Sequence, residues 1–168
     1  MRPSRLWIYR LITALLPETR FFGLKVRLLR WCGAQIGTNV RINSSARFAG
    51  NGKLIIGDNV WIGPGVYVSS GHPKATITLE DYVGLGPRSM LITGYHHITP
   101  DEPQICGPGA FANISIGAGS CIYAGVIILP GVTLAPKTIV TAGAVVTKSN
   151  PQPKAMIGGI PAKLIKMF

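Results

Sequence analysis

Residues 116–146, with the sequence IGAGSCIYAGVIILPGVTLAPKTIVTAGAVV, carry an aliphatic residue at every sixth position. This period fits neither an amphipathic helix, whose apolar residues recur every three to four positions, nor an alternating strand, whose apolar residues recur every two. The same step occurs upstream in three shorter runs, and the period as a whole predicts a solenoid. The hexad positions are Ile36, Ile42, Phe48, Ile56, Ile62, Val68, Leu79, Leu85, Leu91, Ile116, Ile122, Ile128, Leu134, Val140 and Val146.

In such a solenoid each hexad forms one short strand and one corner, and three hexads close a triangular coil around an apolar axis. Four residues after each hexad position the chain tends to carry Val or a small residue, which a narrow corner tolerates. Glycines at the corners are expected to supply positive φ angles or close backbone approach; examples are Gly37, Gly57, Gly63, Gly86 and Gly117. The alternative is a sandwich with regularly spaced strands, although its loops would vary in length.

Composition favours one domain that associates with copies of itself. The chain has 168 residues, 47% of them hydrophobic and only 14% charged. A repeat structure of this composition is expected to have part of its coil surface covered by other subunits. The odd number of cysteines and the absence of a CxxC pair indicate neither a disulfide framework nor a cysteine metal site, so the default setting is cytoplasmic.

The formal net charge of +11 is concentrated at the two ends. Residues 1–35 are predicted to form a basic amphipathic segment of two short helices broken near Pro17. Two interpretations remain open: residues 1–30 contact an anionic membrane surface, or the helices cap the solenoid. The apolar run from Leu6 to Pro17 contains Arg10 and is too short to span a bilayer, and no small-residue cleavage site of a secretory signal follows it. No nucleic-acid recognition motif accompanies the charge, so no nucleic-acid partner is predicted.

The hexad phase breaks in three places, and chemistry is expected there because a regular stacked coil has no concave site of its own. The first break, around Gly50, adds two residues. The second, between Val68 and Leu79, contains Ser70-Gly71-His72-Pro73. The third is longest and predicts an extended loop near 93–115 that begins Thr93-Gly94-Tyr95-His96-His97. Loops of this length in a compact array are usually functional or disordered.

The hexads, the loop Thr93-Gly94-Tyr95-His96, the stretch 128–148 and the tail Gly159-Ile160-Pro161-Ala162-Lys163 resemble the hexapeptide-repeat acyltransferases. Within that family they are most similar to the sugar and polysaccharide O-acetyltransferases related to galactoside and maltose acetyltransferases. The resemblance implies a mainly β fold, a left-handed parallel β-helix over residues 36–150, followed by a C-terminal tail with a short helix over 151–168. It also implies a homotrimer with active sites between subunits, acetyl-CoA as donor and no metal.

Acetyl transfer to a hydroxyl needs a base for the hydroxyl proton and donors for the oxyanion that forms, and a neutral imidazole suits the first task. His96 matches the position of the family's catalytic histidine, whereas His97 and His72 are weaker candidates. The resemblance implies cofactor contacts at Ala124, Ala142, Thr147, Lys148, Lys163 and Lys166, with lysine in tail positions that often hold Arg. Tyr123 departs from the family pattern, because a hexad commonly has Gly there.

The acceptor is a saccharide by resemblance, and the residue types suggest where it would bind. Candidate contacts are Asn51, Trp61, Tyr67, Tyr95, His97 and Asp101. Trp61 and Tyr67, six positions apart, are expected to stack on one coil face as a sugar platform, or to belong to the subunit interface. Rival functions are N-acetylation of an amino sugar or antibiotic, and a non-catalytic or zinc-binding β-helix in which three histidines on neighbouring coils would hold the metal.

Overall fold

The computed structural model describes all 168 residues as two helices followed by nineteen strands, most of them only two to four residues long. The helices and the strands of the first three coils are α1 Pro3–Ala14, α2 Phe22–Trp31, β1 Gln35–Ile36, β2 Arg41–Ile42, β3 Arg47–Gly50, β4 Lys53–Ile56, β5 Trp61–Ile62, β6 Tyr67–Ser70, β7 Thr76–Leu79, β8 Gly84–Leu85 and β9 Met90–Ile92. The remaining strands are β10 Gly94–Ile98, β11 Cys106–Phe111, β12 Ile114–Ile116, β13 Cys121–Ile122, β14 Ile127–Ile128, β15 Thr133–Leu134, β16 Ile139–Val140, β17 Val145–Val146, β18 Ala155–Gly159 and β19 Ala162–Met167.

Three parallel sheets form the faces of a triangular prism. Sheet A has the order β1-β4-β7-β12-β15, sheet C has the order β3-β6-β9-β14-β17, and sheet B runs from β2 through β5, β8, β13, β16 and β18 to β19. Consecutive strands along the chain belong to A, then B, then C, and the next coil begins again at A. The solenoid of about five turns is therefore confirmed; its hand stays the prediction that the resemblance implies.

The hexad residues form the axis of the prism. Fourteen of the fifteen positions are buried and Ile36 is partly buried. The small residues four positions later are buried as well, so each hexad points two side chains inward, one from the strand and one from the corner. Glycine directly after the hexad residue allows close approach between coils: a Cβ on Gly117 would lie 2.5 Å from the backbone N of Pro136. The expectation of close backbone approach is confirmed there, whereas the positive φ angles occur two residues later, as at Gly119.

Strand register measures the two longer interruptions directly. In the regular coils Ser115 pairs with Thr133, eighteen residues on. Ile55 pairs with Thr78, twenty-three residues on, and Thr78 pairs with Ser115, thirty-seven residues on. The extra residues of the longest interruption are not an irregular loop, because β10 and β11 pair as an antiparallel hairpin that leaves the prism between β9 and β12. This hairpin, residues 94–111, is called the arm.

The N-terminal helices cap the first coil. Both helices contact strands of that coil, and Leu6, Tyr9, Val26 and Leu29 join the common apolar core. The Tyr9 ring meets the Phe48 ring edge-on at 5.8 Å between centroids. The capping interpretation is therefore correct for the inner faces of the helices. Their outer faces remain exposed.

The predicted C-terminal short helix is wrong. Residues 155–159 pair in parallel with β16, and residues 162–167 fold back as an antiparallel partner of β18, so the tail continues sheet B. Two glycines and a proline at Gly158, Gly159 and Pro161 disfavour a helix. They suit the turn of a hairpin, and the unfilled edge of β16 offers the backbone partners that β18 uses.

Candidate active site

A bulge in the arm fixes the orientation of His96. His96 lies opposite Gly109 and Ile98 lies opposite Cys106. Between these two pairs β11 therefore contains one more residue than β10. Bulges of this kind re-aim local groups. Here the carbonyl of Gly107 accepts a hydrogen bond from the His96 ring at 2.9 Å from Nδ1. A Cβ on Gly107 would lie 2.7 Å from Thr99 Cγ2, so glycine lets the strands close up.

This hydrogen bond settles the tautomer of the neutral His96 ring. A carbonyl oxygen only accepts, so Nδ1 carries the proton and Nε2 presents its lone pair. Nε2 makes no hydrogen bond within the chain, and the side chain is exposed. His96 is therefore arranged as a proton acceptor, which is the state that a general base needs before it reacts.

The second histidine of this region, His72, is held in the opposite state. His72-Pro73-Lys74-Ala75 forms a turn in which the Ala75 N–H donates to the His72 carbonyl at 2.8 Å. The Lys74 N–H donates to His72 Nδ1 at 3.1 Å. Since that backbone group only donates, Nδ1 is unprotonated and the neutral ring carries its proton on Nε2. The ring also stacks on Phe111 of the arm, with centroids 4.2 Å apart and planes 8° from parallel.

Both histidines line one cavity of about 350 Å³ between the second coil and the base of the arm. Its other lining residues are Gly71, Gly94, Tyr95, Gly109, Ala110 and Phe111. Thr93 ties the two parts together: its fully buried hydroxyl accepts from the Gly71 N–H at 3.2 Å and donates to the Ser69 carbonyl at 3.3 Å. The arm is therefore anchored to the loop that carries His72.

A second, larger cavity of about 760 Å³ follows the edge where sheets B and C meet, here called the B–C edge. Its lining comes from the corners of four successive coils: Ser45, Pro64, Gly65, Pro87, Arg88, Ala124 and Gly125. Ala142 lies on the fifth coil of this edge, where the Gly143 N–H donates to the Ala124 carbonyl at 2.9 Å. The two predicted cofactor alanines are thus brought to one edge, and the arm leaves from a different edge, between sheets C and A.

Comparison with known proteins places this geometry in a family. No protein-family model matches the chain. The WcaF protein of Escherichia coli strain K12, named provisionally as a colanic acid biosynthesis acetyltransferase, is 32% identical over 139 residues, which cover 83% of this chain and 72% of that protein. The chain belongs to the hexapeptide-repeat acetyltransferases.

Two further proteins are similar to this acetyltransferase, one in sequence and one in structure. Galactoside O-acetyltransferase of E. coli strain K12 is 28% identical over 131 residues, which cover 66% of this chain and 62% of that protein. A hexapeptide-repeat acetyltransferase from Vibrio cholerae, solved in complex with acetyl-CoA, superposes with a TM-score of 0.68 at 20% identity over 98% of this chain and 85% of that one. This structural likeness shows the common fold. The family assignment makes the chain an acetyl-CoA-dependent acetyltransferase.

The remaining predicted cofactor residues of the acetyltransferase lie on two other parts of the surface. Thr147 and Lys148 are exposed directly after β17, at the edge between sheets C and A from which the arm also leaves. Lys163 and Lys166 are exposed on β19, and the Lys166 ammonium lies 4.4 Å from the centroid of the Phe168 ring. Within the single chain, therefore, the predicted cofactor contacts do not converge on one groove.

The predicted sugar platform of Trp61 and Tyr67 is wrong. Trp61 lies on sheet B beside Arg41 and Gly84, whereas Tyr67 lies on sheet C beside Arg47 and Met90. A hexad step moves the chain to the next face of the prism, so residues that stack on one face are a whole coil apart. Their separate roles stay predictions.

The other predicted acceptor contacts are dispersed. Tyr95 and His97 are neighbours on β10, with their rings edge-on at 5.5 Å between centroids. Asp101 is exposed at the tip of the arm, and Asn51 is exposed in the turn between β3 and β4.

Arg88 lines the cavity at the B–C edge, and it was not among the residues predicted from the sequence. Five equivalent corners follow the B–C edge. The corners of the first, second, fourth and fifth coils carry Ser45, Gly65, Gly125 and Gly143, and the corner of the third coil carries Arg88 with a φ of 58°. Its side chain lies against the preceding coil, where a Cβ on Gly65 would be 3.3 Å from Arg88 Cγ. One large cationic residue in a series of small corner residues could have indicated this position from the sequence.

The cysteines do not take part in either cavity. Burial raises the pKa of the Cys121 thiol and of the Cys32 thiol, which keeps both protonated and weakly nucleophilic at neutral pH. No group of three His, Cys, Asp or Glu side chains has an arrangement that could hold a metal ion. Neither helix has the length and hydropathy of a membrane span.

Proposed function

We propose that this acetyltransferase moves the acetyl group of acetyl-CoA to a hydroxyl of a sugar, with His96 as general base. The observation that carries the proposal is the hydrogen bond from His96 Nδ1 to the Gly107 carbonyl, which leaves the Nε2 lone pair free. Similarity to WcaF and to galactoside O-acetyltransferase, whose names refer to a polysaccharide and a sugar, supports the choice of acceptor.

In the proposed reaction, His96 Nε2 takes the proton of the acceptor hydroxyl while the hydroxyl oxygen attacks the thioester carbonyl carbon. The tetrahedral intermediate collapses as the carbon–sulfur bond breaks, and the imidazolium returns the proton to the CoA thiolate. The products are the acetyl ester and free CoA. The Gly107 carbonyl faces the Nδ1–H throughout, so it stabilises the ring when it becomes positively charged. Tyr95, His97 and Asp101 of the arm are the proposed acceptor contacts.

Acetyl-CoA is proposed to lie along the B–C edge, where Ala124 and Ala142 leave room for the pantetheine chain. Arg88 adds a cation to that groove. Thr147 and Lys148 are proposed to contact the donor as well, and Lys163 and Lys166 are proposed to approach its phosphates. Lysine supplies charge there without the planar bidentate geometry of arginine.

The placement of these residues supports a homotrimer, which we propose as the active form. Within one subunit the arm with His96 and the groove with Ala124 lie at different edges of the prism. If donor and base are to meet, the groove of one subunit must face the arm of a neighbour. The proposed active site is therefore shared between two copies of the chain.

The base assignment is tested by acetyl-CoA turnover with a panel of sugar acceptors, comparing the wild-type protein with His96→Ala. Loss of a general base is expected to reduce kcat by about 10²–10⁴-fold. Ile105→Ala is the matched control, because Ile105 is an exposed residue of the same arm without a proposed role. A His96→Ala variant that turns over like the control contradicts the proposal.

Shared sites are tested by complementation. His96→Ala removes the base, and Ala124→Trp fills the groove, so each variant alone is expected to be inactive. Co-expression with two affinity tags gives mixed trimers, in which an intact groove can face an intact arm, and activity is expected to return. Continued inactivity of verified mixed trimers, or a monomeric mass in sedimentation equilibrium, contradicts the shared site.

The outer face of the N-terminal cap is proposed to rest on the anionic inner face of the cell membrane, where lipid-linked sugars would be within reach. Trp7 is 64% exposed and Leu15 is 87% exposed, and Leu11 lies between them. Arg10 and Arg27 are exposed nearby. An apolar face with a basic rim matches an interface that contains anionic lipid.

Deletion of residues 1–30 would uncover the first coil, so the membrane test uses surface substitutions instead. Trp7→Ser combined with Leu11→Ser is expected to abolish cosedimentation with phosphatidylglycerol vesicles, while Ile105→Ser leaves it unchanged. Wild-type protein is expected to bind pure phosphatidylcholine vesicles weakly. Equal binding by both variants contradicts the membrane contact.

A further inference from the structure

Two histidines in one cavity carry opposite protonation patterns. The His96 ring donates through Nδ1 and the His72 ring accepts through Nδ1, so their free Nε2 atoms are an acceptor and a donor respectively. Both rings line the cavity of about 350 Å³ at the base of the arm. The proposed reaction uses only His96, and the fixed position of the His72 ring is not explained by it.

Two contacts hold the His72 ring, and a closed turn holds its backbone. The turn 72–75 closes through the Ala75 N–H, Pro73 restricts the backbone at its second position, and the Lys74 N–H fixes Nδ1. Phe111 then fixes the ring plane by stacking from the arm. A surface histidine without a role would not need contacts from two segments of the chain thirty-nine positions apart. Such support is typical of a residue that holds a ligand.

We infer that His72 is an acceptor-binding residue, whose Nε2–H donates a hydrogen bond to a hydroxyl oxygen of the sugar while His96 Nε2 receives the proton of the attacking hydroxyl. The inference rests on the proposed function and names a specificity element of the same site. A sugar offers neighbouring hydroxyls, each of which is both donor and acceptor. One donor and one acceptor on the protein therefore bracket a pair of hydroxyls and select which one is acetylated.

The arrangement also gives Phe111 a positioning role. Phe111 pairs with Gly94 at the base of the arm, and its ring is the part of the arm that meets His72. The stack therefore couples the loop that binds the acceptor to the arm that carries the base. Replacement of Phe111 by Leu keeps an apolar side chain and removes the flat ring partner.

The first test needs no substrate. Long-range proton–nitrogen correlation spectra of the ¹⁵N-histidine-labelled protein distinguish the two neutral tautomers, and the chain has only three histidines to assign. At a pH where the rings are neutral, His72 is expected to be protonated on Nε2 and His96 on Nδ1. A His72 ring protonated on Nδ1 overturns the inference, whatever the activity of the protein.

The second test is kinetic, with acetyl-CoA and an aryl β-galactoside as the probe acceptor. His72→Phe removes the donor and keeps a flat ring for the stack, and is expected to raise KM for the galactoside about tenfold. Turnover at saturating acceptor is expected to stay within about twofold, and KM for acetyl-CoA is expected to be unchanged. His72→Gln, which restores an N–H near the position of Nε2, is expected to recover part of the loss.

The outcomes separate the two proposals. If His72→Phe keeps the wild-type KM for the acceptor while His96→Ala is inactive, the His72 inference fails and the proposed function stands. If His96→Ala retains activity, the proposed function fails first. Phe111→Leu is expected to shift the acceptor KM in the same direction as His72→Phe and by less. A fall in kcat with unchanged KM in both variants contradicts acceptor binding by His72.

Discussion

The regular coils and the arm are built on different principles. In coils four and five, residues 114–146, strands of two or three residues alternate with corners, and the hexad residues are buried against one another. The arm has longer strands, paired antiparallel, with most of its residues exposed and none in the common core. The two histidines of the proposed site occur where the repeat is interrupted, and the core occurs where the repeat is perfect.

This difference separates stability from reactivity. Each inward residue of a coil contacts the coils above and below, so its loss is felt along the axis. The arm depends instead on a few anchors, chiefly Thr93, the bulge at Gly107 and the Phe111 stack. A substitution in the coils should therefore alter unfolding, and a substitution in the arm should alter turnover.

The largest effect is expected for Ile122→Ala, which removes a fully buried side chain from the axis. The free energy of unfolding is expected to fall by about 2–5 kcal/mol, as for other large-to-Ala core substitutions. Ile98→Ala, at a 66% exposed position of the arm, is expected to change it by less than about 0.5 kcal/mol. Urea unfolding followed by circular dichroism measures both, and similar losses would show that the arm belongs to the folding core.

The next effect concerns the bulge. Gly107→Ala places a methyl group against Thr99 and displaces the carbonyl that holds His96. We expect kcat to fall about tenfold, equivalent to about 1.4 kcal/mol, with KM for acetyl-CoA unchanged. Initial-rate kinetics on the purified variant measures this, and Ile105→Ala is the control, because it changes an exposed side chain of the same arm that lines neither cavity. Equal losses in the two variants would remove the special role of the Gly107 carbonyl.

The coils and tail should show the reverse kinetic pattern. Lys163→Ala removes a proposed contact to the phosphates of acetyl-CoA, and we expect its KM for acetyl-CoA to rise about fivefold while kcat is unchanged. The increase should shrink at high ionic strength, because exposed charges are screened. Titration calorimetry with acetyl-CoA in low and high salt measures this. Unchanged binding in Lys163→Ala at low salt contradicts the assignment.

The smallest effect concerns the cap. The hydroxyl of Tyr9 is buried without a hydrogen-bond partner, and burial raises the pKa of Tyr9. Tyr9→Phe is expected to raise the free energy of unfolding by about 1 kcal/mol, because it removes an unsatisfied polar group. A raised folded pKa means that ionisation favours the unfolded state, so the wild-type protein loses stability above about pH 10. The variant should lose less in that range, and identical pH profiles of the unfolding midpoint would contradict this.

The sequence predicted the regular part of the fold because one residue type at one spacing determines it. Ile116 through Val146 could be placed on the axis from their period alone, and the small corner residues proved to be buried. The relation between faces was harder to see. Trp61 and Tyr67 are one hexad apart and lie on different sheets, because each hexad moves the chain to the next face of the prism. Residues on the same face are three hexads apart in a regular coil. The tail was wrongly predicted as a helix because residues 155–159 pair with the open edge of β16. That edge exists only once the coils have stacked.

The candidate site was predictable only in part. Similarity to the family pattern indicated His96. Comparison of the equivalent corners along the B–C edge would have indicated Arg88, the one large residue among small ones. The pairing of His72 with Phe111 depends on how a five-residue insertion and a nineteen-residue insertion meet above the same edge. No local pattern specifies such a contact, because each segment is positioned by the coil from which it leaves.

The two ends of the prism have a consequence for how copies of the protein assemble. A stack of parallel coils could in principle grow without limit, one molecule continuing the sheets of the next as a fibre. Here α1 and α2 cover the first coil, and β19 turns back along sheet B at the other end. Growth along the axis is blocked at the first coil, so the sheets of one molecule cannot continue head to tail into the next. A filament that extends the sheets along the axis is thereby disfavoured, which agrees with the proposed homotrimer, whose contacts lie on the sides of the prism.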